Sequence, residues 1–283
     1  GLVSTAHAFG HTGARPEPQA QLDWLAVECV RGGWSVKSLH RLMVTSAAYR
    51  RRVDAGYGGA GGAGGAAGVA DAENVYWGRQ TLRRMDAETL RDCLLQATGQ
   101  LQPEGGGGAP RWPVISEELR HAQPASLEAE EGKDDGRMQG WYADPAAEVR
   151  VRSIYLVRKR CLPIPFLQVF DLPDAAASCG RRDETIVAPQ AIMLLNSPET
   201  IGCAEALADE LLAAAGTGSG WRDAVIAGAF ARVLLRESAA EERESARILL
   251  EKVEQTVGES GRRHAVAELC RGLLNSNEFV FVD

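Results

Sequence analysis

The chain has no run of about 18 consecutive apolar residues, so nothing in its sequence reads as a membrane-spanning helix. It has no excess of basic residues either. The formal net charge is -7 over 283 residues, whereas a nucleic-acid surface needs a basic face. The six cysteines (Cys29, Cys93, Cys161, Cys179, Cys203, Cys270) form no Cys-x-x-Cys pair and no Cys-x-x-Cys-His haem attachment. The five histidines, His7, His11, His40, His121 and His264, show no metal-ligand spacing. His7 and His11 lie four apart, but Gly10 and Gly13 oppose a regular helix there, and no Glu follows His7. No Gly-x-Ser-x-Gly occurs, which removes the hydrolase elbow. No signal peptide is visible, and Gly1, Leu2, Val3, Ser4 and Thr5 read as the middle of a structured segment. The expectation is an N-terminally truncated domain and no bound cofactor or metal.

What is present is mostly helix. A hydrophobic fraction of 45% is enough for one large core or two smaller ones. Residues 19–31 carry Leu22, Leu25, Ala26 and Cys29 at helical spacing, and Gly32 and Gly33 stop them. Ser35 is a candidate N-cap for a second helix that buries Leu39, Leu42, Met43 and Ala47, giving a helical hairpin. A DNA-binding helix-turn-helix is the weaker reading in so acidic a chain. Residues 86–96 form a strong helix with Leu90, Cys93 and Leu94 inward; its Glu88, Arg91 and Asp92 pair within the helix or reach across to another segment. The alternation of Val149, Val151, Ser153, Tyr155 and Val157 predicts a strand over 149–158. Helices are expected at 188–195, 199–215, 221–235, 239–257 and 262–274. The Gly/Ala tract at 56–70 is too entropically expensive to order and lacks the Lys-Ser/Thr ending of a phosphate-binding loop. Together with a polar insertion at 103–140, it is expected to decorate one body. The fold expectation is mainly α: an irregular multi-helix bundle with a minor β element and long loops, a single domain over 1–283.

The chemistry concentrates at 171–196. Asp171 and Asp174 flank Pro173, and Arg181, Arg182 and Asp183 follow within a dozen residues. Two carboxylates held close can separate in pKa and serve as acid and base, or hold a hard cation. The structural alternative is that they cap turns and pair with Arg182, since arginine bonds carboxylates bidentately. On that reading Arg182 is buried against Asp171 or Asp174, with Glu88 or Asp92 as the next choice, and Gln190 bonds backbone near Ile154. Thr185 completes the polar set, Pro189 suits a first helical turn, and Asn196 and Asn275-Ser276-Asn277 end helices through side-chain bonds. Arg150, Arg152, Arg158, Lys159 and Arg160 make a basic cluster, either an anion pocket or an ion-paired surface. Cys29, Cys93 and Cys270 read as small buried hydrophobes. For Cys161 and Cys179, a disulfide and two separate thiols both stay open, because sequence gives no Cα distance.

Five blocks in order carry a family resemblance: residues 1–51, RRMDAETLRDCLLQATGQL, RSIYLVRKR, FDLPDAAASCGRRDETIVAPQAIMLLNSP and AELCRGLLNSNEFVFVD. They resemble the planctomycete-type family known as domain of unknown function 1553 over nearly the whole chain. The resemblance implies a large exported bacterial protein, periplasmic or extracytoplasmic, with another uncharacterised domain and often a cytochrome c-like domain upstream. It carries over onto Trp34, His40, Ser46 and Tyr49, then Glu88, Arg91 and Asp92, then Ser153, Tyr155 and Arg160. It continues at Asp171, Asp174, Cys179, Arg182, Thr185, Pro189, Gln190 and Asn196. Cys161 departs from it, standing where a small hydroxyl residue is usual. No activity comes with the resemblance. The functional expectation is a non-catalytic interaction or scaffolding module whose partners are the upstream domains of its own polypeptide. The alternatives are an enzyme acting on an extracytoplasmic polymer such as a polysaccharide, with Asp171, Asp174, Arg182, Thr185 and Gln190 as its candidate residues, or an accessory domain of a cytochrome-containing electron-transfer protein.

Overall fold

The computed structural model describes residues 3, 5, 8, 10–16, 18–51, 53, 74, 77–102, 110–115, 141, 143–160, 162–258 and 261–282. The expectations placed on the tract at 56–70, on 103–109 and 116–140, on His7 and on Cys161, its pairing with Cys179 included, lie outside the described residues. The fold is mainly α with one small two-stranded sheet. No helix among the described residues is long and apolar enough to cross a membrane. The chain divides into two compact units: Gly1–Arg83 with Cys179–Arg181 and Phe281–Asp283, and Arg84–Ser178 with Arg182–Val280.

The first unit is built on the expected hairpin, α1 (Gln19–Arg31) and α2 (Val36–Val44). Gly33, at φ 67°, and Trp34, at φ 62°, make the left-handed turn between them. Ser35 caps α2 by accepting from the Ser38 N–H at 3.3 Å. The buried stripe expected on α2 does not form. Leu42 and Met43 are exposed, Ala47 is exposed, and no residue of α2 is buried, while α1 buries Leu25 alone. Helices of 13 and 9 residues can shield only one side of each other, so the amphipathic pattern is real but does not lead to burial of its apolar face. β1 (Arg83–Arg84) and β2 (Phe281–Val282) are the paired strands of the sheet.

The second unit holds the core. The α3 helix (Ala87–Ala97) turns Ala87, Leu90, Leu94 and Leu95 inward at helical spacing. It packs on α4 (Pro165–Val169), whose Phe166 and Leu167 are buried, and on Phe170 just beyond. Next come α5 (Ala188–Asn196), α6 (Pro198–Ala215), α7 (Trp221–Val233), α8 (Ala240–Val257) and α9 (Gly261–Leu274), close to the expected bounds, and the short α10 (Asn277–Val280), where no helix is expected. Their stripes bury Leu207, Val225, Ile226, Leu250, Val266 and Leu274 completely, so α6 to α9 pack as a four-helix body. At the α8–α9 turn, a Cβ on Gly261 would stand 2.8 Å from the Glu254 backbone, so only glycine fits.

The strand expected over 149–158 is corrected by the structure. Ser153–Tyr155 is a single 3-10 turn, and only an isolated bridge joins Leu156 to Arg111. The physical reason lies in where the backbone bonds go. The carbonyls of Val149 and Val151 are taken by the Arg91 guanidinium, and the Ser153 N–H by Asp92. Side chains therefore occupy the groups that a neighbouring strand would have used. The period-two burial of Val149, Val151 and Ser153 survives without the strand.

Candidate functional site

The polar residues of the second unit assemble around three arginines. The first, Arg91, is the inward face of α3. Its Nε donates to Glu199 Oε1 at 2.8 Å, Nη1 to the Val151 carbonyl at 3.1 Å and the Ser153 hydroxyl at 3.3 Å, and Nη2 to the Val149 carbonyl at 3.0 Å. One residue further, Asp92 Oδ1 accepts from both the Ser153 N–H and its hydroxyl at 2.7 Å. Arg152 lies 3.5 Å from the other carboxylate oxygen. Arg91 and Asp92 thus reach out of their helix, the second of the two alternatives their spacing left open. They hold an irregular segment whose backbone groups would otherwise be buried without partners.

Arg84 is the second. Its side chain is 4% exposed. Nη2 donates to Asp171 Oδ2 at 2.6 Å and to the Phe170 carbonyl at 3.2 Å, Nη1 donates to the Met85 carbonyl, and the guanidinium lies 5.4 Å from the Phe170 ring centre. Asp171 also accepts from the Thr185 N–H and the Thr185 hydroxyl, both at 2.8 Å. Gln190, buried in the first turn of α5, donates from Nε2 to the Val169 carbonyl at 3.1 Å and the Thr185 hydroxyl oxygen at 3.2 Å, and accepts from the Val187 N–H at 3.3 Å. Asp171 sits at φ 61°, in the left-handed region that few non-glycine residues enter, aspartate among the better tolerated. The set Arg84–Asp171–Thr185–Gln190 therefore ties the end of α4 to the start of α5.

Arg182 is the third, and here the expectation fails. It is not buried and does not pair with Asp171 or Asp174. Its side chain is 39% exposed, and it makes a two-pronged bond to Glu88, Nη1 to Oε2 at 2.6 Å and Nη2 to Oε1 at 3.0 Å, with Asp86 at 3.8 Å. Asp171 is already satisfied from the inside by Arg84, which leaves the outer arginine to the helix residue named as its next choice. Partial burial pushes the Glu88 carboxyl up, but the bonds from Arg182, with Arg158 nearby, outweigh it and hold the group below its ordinary value. Gln190 likewise bonds the end of α4 and not the backbone near Ile154.

The remaining expected residues scatter. Asp174 is exposed and accepts from the Ala176 N–H at 2.9 Å, a turn of its own making. Tyr155 is half-buried, and its carbonyl accepts from the Arg111 N–H. Arg160 is exposed, as is Asn196 at the end of α5. The helix-end bond expected at 275–277 comes from Ser276, which donates to the Leu273 carbonyl, whereas Ser197, next to Asn196, caps the start of α6 by accepting from the Thr200 N–H. Cys179, in the first unit, is exposed with its thiol directed to the Arg181 carbonyl at 3.0 Å. The basic cluster does not converge on one pocket. Arg152 faces Asp92, Arg158 donates to the Pro173 carbonyl at 2.5 Å, and Lys159 lies over the Trp112 ring at 5.0 Å. Sequence reasoning missed Arg84 and Glu199 as members of the network. Their partners are 87 and 108 residues away, and nothing local marks either one.

Chemically, the arrangement is a set of closed pairs, with Arg84 Nε alone among its buried side-chain atoms left without a hydrogen-bond partner. General acid–base work needs a carboxylate open to a substrate, but the oxygens of Asp171 are engaged by Arg84 and Thr185. Among the described residues, no group of three or more His, Cys, Asp or Glu is placed to hold a metal ion. An open cavity of about 450 Å³ lined by Phe230, Glu241, Ser245, Leu249 and Leu269 touches none of the candidate residues. Residues 1–250 match the family described as PSD1, protein of unknown function (DUF1553), and the chain belongs to that family. No curated protein and no solved structure matches it.

Proposed function

We propose that this member of the DUF1553 family is a non-catalytic interaction or scaffolding module of a multidomain exported protein. The observation that supports this reading is the closure of the polar hub. Arg84, Arg91, Asp92, Asp171, Thr185 and Gln190 bond to one another and to backbone, which fits residues selected to hold loops in place. In this reading the module works in the periplasm or outside the cell, and its partners are the other domains of its polypeptide, a cytochrome c-like domain among them. The test is a broad panel of glycosides, esters and peptides offered to the purified protein. No turnover is expected. Turnover that Asp171→Ala abolishes, with the fold intact by circular dichroism, would refute the proposal.

One observation favours the second reading, an enzyme acting on an extracytoplasmic polymer. Asp171 holds a left-handed backbone, and such strain gathers at functional sites. If that reading is right, a glycan substrate has to displace Thr185 from Asp171, so Thr185→Ala would raise turnover or leave it unchanged while Asp171→Asn removes it. The electron-transfer reading is separated by an absorbance scan. A haem band in the full-length polypeptide, absent from this chain alone, would place the cofactor in another domain.

A further inference from the structure

We propose that residues 174–187 are a strap that opens independently of the core, that Arg182 clasps it shut on Glu88, and that its closed position covers Asp171. The proposal holds whether the hub does chemistry or only binds, because it concerns access to Asp171 and not what happens there.

The connection from α4 to α5 runs over residues 170–187 and contains no helix or strand. Structureless connections longer than about 12 to 15 residues are uncommon in compact domains, and lids and binding loops are prominent among them. Every residue from 174 to 187 is exposed. That includes its large apolar residues, Ile186 at 78% and Val187 at 47%. The strap therefore has no hydrophobic anchor, and polar bonds hold it. A segment with so few buried apolar contacts belongs to the low-stability end of a fold and opens without global unfolding. Its tip, Cys179–Arg181, groups with the first unit, whereas Asp171, Arg182, Thr185 and their partners lie in the second.

The bonds that close the strap differ in kind from those beneath it. The clasp is the two-pronged pair of Arg182 with Glu88, at 2.6 and 3.0 Å. Its side chains are 39% and 26% exposed, so water screens the attraction. The cover is Thr185, whose N–H and hydroxyl both donate to Asp171 at 2.8 Å. Below, Arg84 is 4% exposed and holds Asp171 Oδ2 from the inside at 2.6 Å. Gln190 divides its Nε2 between the Thr185 hydroxyl and the Val169 carbonyl, and keeps the second when the strap lifts. Opening thus leaves the Arg84–Asp171 pair in place and bares Asp171 Oδ1, the oxygen that accepts from the Thr185 hydroxyl. A carboxylate oxygen backed by a buried guanidinium accepts from hydroxyl and amide donors, the same two groups that Thr185 supplies.

Native-state hydrogen exchange of the Thr185 amide, followed by nuclear magnetic resonance at rising urea below the unfolding transition, tests this. Thr185 is expected to exchange at least about tenfold faster than the amides of Leu207, Val225 and Val266, at a rate that urea hardly changes, while those core amides accelerate with urea. Glu88→Gln breaks the clasp and leaves the strap's own sequence untouched. It should speed Thr185 exchange about two- to fivefold, the effect of losing a screened pair, with the core amides and the melt of α6 to α9 unchanged. Arg182→Ala should do the same from the other side. Thr185 exchange that follows the core amides through the urea series overturns the proposal, because the connection then unfolds only with the whole unit. A Thr185 rate that neither variant changes also overturns it, because the pair is then no clasp.

Discussion

Removing the Asp171 carboxylate should destabilise the second unit more than removing any exposed member of the polar set. The Arg84 side chain is 4% exposed and that of Asp171 18%, so Asp171→Ala strands a buried cation with the Met85 and Phe170 carbonyls and the Phe170 ring. Breaking a buried pair by deleting one partner costs about 3 to 5 kcal/mol. The backbone adds to this. Asp171 sits at φ 61°, where aspartate is tolerated but alanine costs about 1 kcal/mol more. The sum is about 4 to 6 kcal/mol for Ala. Gly accepts that backbone and should recover about 1 kcal/mol. Asn keeps an oxygen for Thr185 and tolerates the same φ, so about 2 to 3 kcal/mol is expected from loss of the charge-assisted bond to Arg84. The assay is urea denaturation followed by far-ultraviolet circular dichroism, with the slope unchanged across the series. A loss below about 1 kcal/mol for Ala, or no advantage of Gly over Ala, would refute the reasoning. The first result would mean that Arg84 finds water, and the second that the strain is relieved without the carboxylate.

Arg182→Ala should cost under about 1 kcal/mol despite its bidentate geometry, because solvent screens a side chain that is 39% exposed. The same pair carries a pH dependence: the Glu88 carboxyl is held below its ordinary value of 4.5, so its stabilisation is fully present above that pH and is lost as pH falls through the folded value. Melting temperature against pH should therefore fall less steeply at acid pH in Glu88→Gln than in the parent. Arg91→Ala should cost about 3 to 5 kcal/mol, since it leaves the Val149 and Val151 carbonyls and the Ser153 hydroxyl without their donor; loss of hydrogen-exchange protection at 149–155 would report it. Gly261→Ala should cost about 1 to 3 kcal/mol by thermal melting, because its Cβ meets backbone that cannot rotate away. Burial pushes the Cys270 thiol up to about 12 and also raises Cys203, so iodoacetamide at mildly alkaline pH should label exposed Cys179 in the native protein, and the other two only after unfolding.

The helices were legible because each announces itself within a few residues. Ser35 stands before α2, Pro189 sits in the first turn of α5, and the spacing of Leu207, Leu211 and their neighbours repeats a helical face. Burial was less legible than periodicity. The stripe Leu39–Leu42–Met43 has the pattern of a core face, yet a pattern states which residues would be buried together and not whether anything arrives to bury them. The segment at 149–158 shows the same limit from the other side. Alternating burial holds at Val149, Val151 and Ser153 but breaks at Leu156, buried between half-buried Tyr155 and Val157, and a strand also needs a neighbour for its backbone, a role that here falls to Arg91 and Asp92.

Most of the site's members could be named from composition, but their pairing could not. Asp171, Arg182, Thr185, Gln190, Glu88, Arg91 and Asp92 are all joined into polar pairs, yet Arg182, the arginine expected beside Asp171, is not its partner. Charge pairs that close a fold are chosen by burial: the carboxylate goes to whichever guanidinium can reach it without crossing water. For Asp171 that is Arg84, 87 residues away and locally unremarked. Arg182, 11 residues away, stays outside and takes Glu88. The difference has an energetic consequence that sequence distance inverts. The long-range pair is the one whose loss should be felt across the second unit, and the local-looking arginine is the one that should be dispensable.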